Sequence, residues 1–152
     1  MSGLRLEVPV QTNKREIARV QLVEAINLFL AEKYISCITL AGAAEEIFAR
    51  LLNQTGRPSI AEISIDEIQK IREKTGLCVM HGMPANQIFN LWNSARNELK
   101  HYNKTDEDIV ILHPFDDAYM MIRRALFNAK ELELIIGKQQ EFDNWLVINV
   151  NT

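Results

Sequence analysis

Apolar residues recur at intervals of three and four along almost the whole of this 152-residue sequence. That spacing places them on one side of an α-helix, so it predicts amphipathic helices packed around a shared core. Five segments carry the pattern, and short links connect them: residues 13–33, 34–53, 64–76, 84–102 and 114–137. Short helix-to-helix links favour antiparallel neighbours, so we expect an all-α fold, an antiparallel bundle of four to five helices.

Local signals set the expected helix ends. Asn13 is a candidate N-cap, and Ser64 with Glu67 has the spacing of a capping box. Pro84 and Pro114 suit first turns, because proline tolerates that position. The apolar link 77–83 is expected to be covered by protein, and Ile65, Ile68 and Ile71 are expected to face inward.

The ends of the sequence have a different pattern. Residues 4–8 alternate with period two and residues 145–150 are β-prone, so short β segments are expected at the termini, as is a short strand at 109–112. We expect a single domain over 1–152, with a helical core over 13–137 and terminal extensions over 1–12 and 138–152.

Composition restricts the possible functions. The formal charge is −3 and the pI is near 5.6, which argues against broad nucleic-acid affinity, so any such site must be local. The sequence has no membrane-length apolar run and no signal pattern, and we expect a cytoplasmic protein without membrane contact. Cys37 and Cys78 lie among apolar residues and are expected to be buried free thiols.

The segment 93–103 carries the strongest chemical signal. Arg96 is a permanent cation suited to phosphate, and His101 can exchange a proton near neutral pH. On a straight helix Arg96 lies roughly 40° from Trp92, at the border of the apolar side, whereas His101 lies roughly 180° from it. Arg96 and His101 therefore diverge by about 140° within one chain, and a second copy of the chain would be needed to complete a site. A solvated histidine that complements the helix dipole is the alternative.

Other candidate sites are weaker. Cys78 and His81 lack a second pair of ligands at metal-binding spacing, so no metal and no cofactor are expected. Glu45 and Glu46 are expected on a solvated edge, with a salt bridge near Arg96 as the alternative. Gly42 lies mid-helix among small residues, which indicates that another helix approaches closely.

The run Arg96-Asn97-Glu98-Leu99-Lys100-His101 resembles the motif of the HEPN superfamily (higher eukaryotes and prokaryotes nucleotide-binding). In that family an arginine, a polar residue, a short gap and a histidine lie late in a helix of a four- or five-helix bundle. The small-residue helix around 40–47 and a later helix with Arg123, Arg124 and Asn128 extend the resemblance to about residues 13–137.

The resemblance implies a homodimer whose two motifs meet in a shared cleft. Many members are metal-independent endoribonucleases, often toxins controlled by a cognate antitoxin or partner protein. It implies that His101 moves a proton at the ribose 2′-hydroxyl, that Arg96 stabilises charge on the phosphate and that Asn97 orients the pair. RNA or nucleotide would then contact the nearby polar residues, Asn93, Lys100 and Lys104. Other members are non-catalytic modules that bind nucleotide, RNA or a protein, and this alternative stays open.

Overall fold

A computed structural model describes residues 8–102 and 108–150, and these residues form α-helices joined by turns and loops. The helices are α1 (Lys14–Leu30), α2 (Tyr34–Gln54), α3 (Ile60–Thr75), α4 (Ala85–Glu98), α5 (Pro114–Glu131) and α6 (Gln139–Val150). No strand occurs in the described residues, so the all-α prediction is confirmed. The helix number exceeds the predicted four to five because the C-terminal segment also forms a helix.

The core lies where α2 packs against both α1 and α5. Burial of one large aliphatic or aromatic side chain stabilises the fold by about 1.5–3 kcal/mol. The largest of these buried side chains come from four helices: Leu22, Ile26, Phe29, Ile38, Phe48, Leu52, Ile122 and Phe142.

The C-terminal segment is α6, and the predicted β structure there is wrong. Phe142 is fully buried, and its ring centroid lies 5.2 Å from that of Phe29. The Trp145 ring lies 5.1 Å from the same ring, and both contacts are edge-on. Phe142, Trp145 and Leu146 have helical spacing and pack on the core, whereas Val147 and Ile148 are exposed. The β-branched run therefore lies on the solvent side of α6, and the packing of the other side on the core stabilises the helix. Leu4 to Glu7, predicted as β-prone, lie outside the described residues.

Helix α3 starts earlier than predicted. Its capping box is formed by Ser59 and Glu62: the Ser59 hydroxyl accepts from Glu62 N (3.4 Å), and the Glu62 carboxylate accepts from Ser59 N (2.7 Å). Ser64 lies inside the helix, so the predicted box at Ser64 is wrong. Ile71 is exposed, contrary to prediction. The N-cap at Asn13 is confirmed by a 2.9 Å bond from Glu16 N to its side chain.

The link 77–83 was predicted to be covered by protein, but hydrogen bonds hold it in place instead. Leu77 and Cys78 are exposed, so the burial prediction for Cys78 is wrong, while Cys37 is buried as predicted. The Arg72 guanidinium donates to Val79 O (2.9 and 2.6 Å) and to Met83 O (2.8 Å). Three bonds from one planar group fix the loop without burying it.

Two further expectations fail near the candidate motif. α4 ends at Glu98 rather than near residue 102, and residues 109–112 are not a strand. Ile109 and Ile111 are exposed, so that apolar run is not part of the core. No helix in the described ranges is both long and apolar enough to cross a bilayer.

Candidate functional site

Glu45 lies at the centre of a buried polar cluster, so the expectation of a solvated edge is wrong for this residue. It is 2% exposed. Its carboxylate accepts from Arg96 Nη1 (3.0 Å) and from Arg124 Nη2 (3.0 Å), and Asn128 Nδ2 lies 3.4 Å away. The alternative considered from the sequence, a salt bridge near Arg96, is the arrangement observed. One acidic residue of α2 thereby joins basic residues of α4 and α5.

Gly42 permits this arrangement. A Cβ atom at residue 42 would lie 2.5 Å from Arg96 Cδ and 2.6 Å from Arg96 Cγ, closer than non-bonded carbons approach. The stem of Arg96 therefore crosses α2 where a side chain is missing. The close approach predicted for Gly42 is confirmed, and the approaching group is the side chain of Arg96.

Arg124 and two asparagines extend the cluster. Arg124 Nη2 donates to Asn93 Oδ1 (3.0 Å), and Arg124 Nη1 donates to the Trp92 carbonyl oxygen (3.2 Å). Asn128 Oδ1 accepts from the backbone N–H of Ile60, in the first turn of α3 (2.9 Å). Glu45, Asn93, Arg96, Arg124 and Asn128, here called the Glu45 cluster, thus connect α2, α3, α4 and α5.

The Glu45 cluster holds two guanidinium groups and one carboxylate, so one positive charge is in excess. Arg96 Nε, Arg124 Nε and Asn93 Nδ2 are buried donors without a partner in the described part of the chain. A buried unpaired donor costs about 1–3 kcal/mol. The cluster is therefore richer in donors and in positive charge than its own packing requires.

Glu46, one residue along α2, lies at the partly exposed rim. It accepts from Arg50 Nη2 (3.1 Å), four residues further along α2, and from Lys100 Nζ (3.3 Å). Burial alone would raise the pKa of Glu46, but hydrogen bonds from Arg50 and Lys100 and the charge of Arg96 hold that pKa below its ordinary value. Lys100, a predicted substrate contact, is therefore engaged with this carboxylate.

His101 lies just beyond the end of α4 and is exposed. Its backbone N–H donates to Asn97 O (3.2 Å), so the helical turn continues as far as this residue. Its imidazole has no hydrogen-bond partner among the described residues. Asn97 is also exposed, whereas Arg96 and Asn93 are buried. The structure thus separates Arg96 from His101, as the helical projection predicts, and Lys104 lies outside the described residues.

The remaining candidates do not form a centre. Cys78 and His81 are exposed, and the described ranges 8–102 and 108–150 hold no group of three or more residues placed to bind a metal ion. Sequence reasoning missed Glu45, Arg124 and Asn128 as partners of one another. The one available signal is that Arg124 and Asn128 are four residues apart on the apolar side of α5, where charged residues are rare unless paired.

Comparison with known proteins adds no function: no family model matches the chain, and no curated protein or solved structure matches it.

Proposed function

We propose that this chain is a metal-independent endoribonuclease of the HEPN type, active in a cleft between two copies. The observation that supports the proposal most is the contrast at the end of α4. An exposed histidine with no side-chain partner in the described ranges, His101, follows a buried cluster that holds two guanidinium groups and one carboxylate. Phosphodiester cleavage without a metal needs an accessible proton carrier and a fixed cation, and a second copy of the chain would bring the two together.

The reaction needs no group that the chain lacks. His101 removes the proton from a ribose 2′-hydroxyl, whose oxygen attacks the adjacent phosphorus. The bond from phosphorus to the 5′-oxygen breaks, and that oxygen takes a proton from a protonated histidine or from water. The products carry a 2′,3′-cyclic phosphate and a 5′-hydroxyl. A guanidinium can stabilise the charge that gathers on the phosphate oxygens, and Arg96 gives only Nη1 to Glu45.

The positions of Arg96 and His101 in one chain support a site that is built from two chains. Arg96 is buried against α2, and His101 is exposed beyond the end of α4; on an ideal helix the two positions would be roughly 140° apart. A two-fold axis beside the end of α4 would place His101 of one copy against the cluster of the other. Each of the two equivalent sites would then combine Arg96 from one copy with His101 from its partner.

A second function has an observation in its favour. The Arg96 side chain is only 8% exposed and is paired with a carboxylate 3.0 Å away, which is the environment of a structural arginine. If Arg96 only fastens α4 to α2, the chain is a non-catalytic HEPN-like module that binds RNA, a nucleotide or a partner protein. Exposed residues such as Asn97 and His101 would then supply the contacts.

RNA cleavage in excess EDTA separates the two functions. We expect the wild type to cut single-stranded RNA and to leave cyclic-phosphate ends, and we expect His101→Ala to lose at least about 10²-fold in rate. Arg96→Gln keeps most of the stem that crosses Gly42 but removes the charge, and it should lose a similar factor. His113→Ala is the matched control, because His113 is also exposed and its side chain makes no capping bond.

Circular dichroism must show that each variant is folded. Intact RNA after incubation with the wild type, or equal cleavage by His101→Ala and the wild type, would contradict the catalytic proposal. Retained RNA binding without cleavage would favour the non-catalytic module.

A further inference from the structure

A cavity of about 770 Å³ lies between α3, α4 and α5, and the residues of α4 that line it are Leu91, Trp92, Ser94 and Ala95. Small-molecule sites in proteins have volumes of about 300–1,000 Å³ and mostly apolar walls with a few polar groups. The cavity has that character. Its main apolar walls are Ile60, Leu91, Trp92, Met120 and Phe127.

The cavity wall leaves apolar surface open. Leu91 and Met120 are 50% and 55% exposed, and Phe127 and Ile111 are also exposed. Single exposed apolar residues are common, but four that line one cavity leave apolar surface there whose covering would be favourable. The open surface indicates that the site accepts an apolar body.

The charges at this cavity are mainly positive. α5 contributes Arg123, Arg124 and Lys130, against one carboxylate, Asp117, which accepts from the backbone N–H of His113 (3.0 Å). Arg124 is committed to the Glu45 cluster. Arg123 lies 3.8 Å from Asp143, too far for a good hydrogen bond, and Lys130 forms no ion pair within the described ranges.

Arg123 and Lys130 are seven residues apart, so they lie on nearly the same side of α5, about 10 Å apart along its axis. Both side chains are long enough to converge on one anionic group. Phe127 lies between them, and Trp92 lies across the cavity on α4. An anion held by the two cations would thus adjoin aromatic walls.

We propose that this cavity binds a small amphipathic anion: an apolar, preferably aromatic, body against Leu91, Trp92 and Phe127, with a single anionic head between Arg123 and Lys130. This site uses neither Arg96 nor His101 and does not depend on ribonuclease activity. Charge complementarity selects the anion, and the cavity volume selects a small molecule over a macromolecular segment.

Anilinonaphthalene sulfonate is a suitable probe because it joins an aromatic body to one anionic group. Its fluorescence with the folded wild-type chain should rise to saturation at one molecule per chain. N-phenylnaphthylamine has nearly the same body without the charge and should bind roughly tenfold more weakly. The double variant Arg123→Gln/Lys130→Gln should weaken the anionic probe by a similar factor and leave the neutral one unchanged.

Two exposed apolar positions provide a matched pair. Leu91→Glu places a carboxylate in the cavity wall and should abolish binding of the anionic probe, whereas Val20→Glu makes the same change on α1, outside the cavity, and should not. Unchanged circular dichroism shows that each variant is folded. Three results would overturn the proposal. The anionic probe would bind Leu91→Glu as well as the wild type, it would not bind the wild type, or the wild type would have equal affinity for the two probes. A dimer that Leu91→Glu dissociates, without probe binding, would assign the surface to a second copy of the chain.

Discussion

At the scale of single residues, two adjacent glutamates have opposite environments. Glu45 is buried between two guanidinium groups, and Glu46 is at the rim with Arg50 and Lys100. One step along a helix turns the side chain by about 100°, which is enough to move it from the core to the rim. The two glutamates therefore have different structural roles. Glu45 holds three helices together, and Glu46 neutralises part of the charge of the exposed cations.

The contact between Gly42 and Arg96 leads to a double-mutant prediction. Gly42→Ala alone should destabilise the fold by about 1–3 kcal/mol, since Arg96 Cγ and Cδ block the new methyl group and Glu45 holds the guanidinium in place. In an Arg96→Ala background the obstruction is gone. There the same change should instead stabilise the fold by up to about 1 kcal/mol, the usual gain from replacing glycine inside a helix.

Urea denaturation of the four proteins gives the coupling between the two positions. A sign change for Gly42→Ala between the two backgrounds is expected. The same destabilisation in both backgrounds would mean that Arg96 does not occupy the space over Gly42.

Glu46 gives a pH prediction. Its pKa is lower in the folded chain than its ordinary value of 4.5, so the folded state binds fewer protons than the unfolded state near that pH. The stabilisation from Glu46 is therefore fully present above pH 4.5 and is lost as the pH falls through the folded pKa. Glu46→Gln should flatten the decline of the unfolding free energy below this pH.

Chemical denaturation at several pH values measures that slope. Glu24→Gln, at an exposed position of α1, is the control and should leave the slope closer to that of the wild type. An unchanged slope in Glu46→Gln would contradict the assigned ion pairs.

At the scale of helices, the start of α3 distinguishes two similar serines. Ser59→Ala removes a capping bond and should cost about 0.5–2 kcal/mol. Ser64→Ala lies inside the helix, where alanine is the better helix former, so it should be neutral or slightly stabilising. Thermal unfolding of both variants tests the assignment, and a larger loss for Ser64→Ala would show that the helix begins later.

Helix positions followed from the sequence where periodicity and a cap agreed, as at Asn13 and the start of α1. Helix positions did not follow from the sequence where two capping signals had the same form. Ser59 with Glu62 and Ser64 with Glu67 have equal spacing, and a tertiary bond from Ile60 N to Asn128 accompanies the box that forms at the start of α3. The β-prone end of α6 is helical because Phe142 and Trp145 pack on Phe29, a contact between residues more than a hundred positions apart.

The candidate site was predictable only in part. The divergence of Arg96 and His101 followed from helix geometry alone, and exposure at these positions agrees with it. The salt bridge from Glu45 to Arg96 was an alternative only, and the second bond, from Arg124 to Glu45, did not follow, because the relative positions of α2, α4 and α5 depend on the whole core. Pairing across three helices is not encoded by any local pattern.

At the scale of the whole molecule, charge is distributed unevenly. The chain carries a formal net charge of −3, yet the buried cluster and its rim hold four cations, Arg50, Arg96, Lys100 and Arg124, against three carboxylates, Glu45, Glu46 and Glu62. A local positive region on an acidic protein favours a confined anion site over general nucleic-acid binding. In the proposed dimer, two such regions would face each other across the cleft, and this repulsion would be relieved when RNA phosphates bind.

The shared site is the central claim, and complementation between two inactive variants tests it most directly. Arg96→Gln and His101→Ala chains would be co-expressed with different tags, and the mixed dimer would be assayed for RNA cleavage in EDTA. Only one of its two sites is intact, and random pairing makes half of the dimers mixed. The unfractionated mixture should therefore recover about a quarter of the wild-type activity, although each variant alone is inactive. A mixed dimer as inactive as its parents, beside an active wild type, would contradict a site shared between two chains.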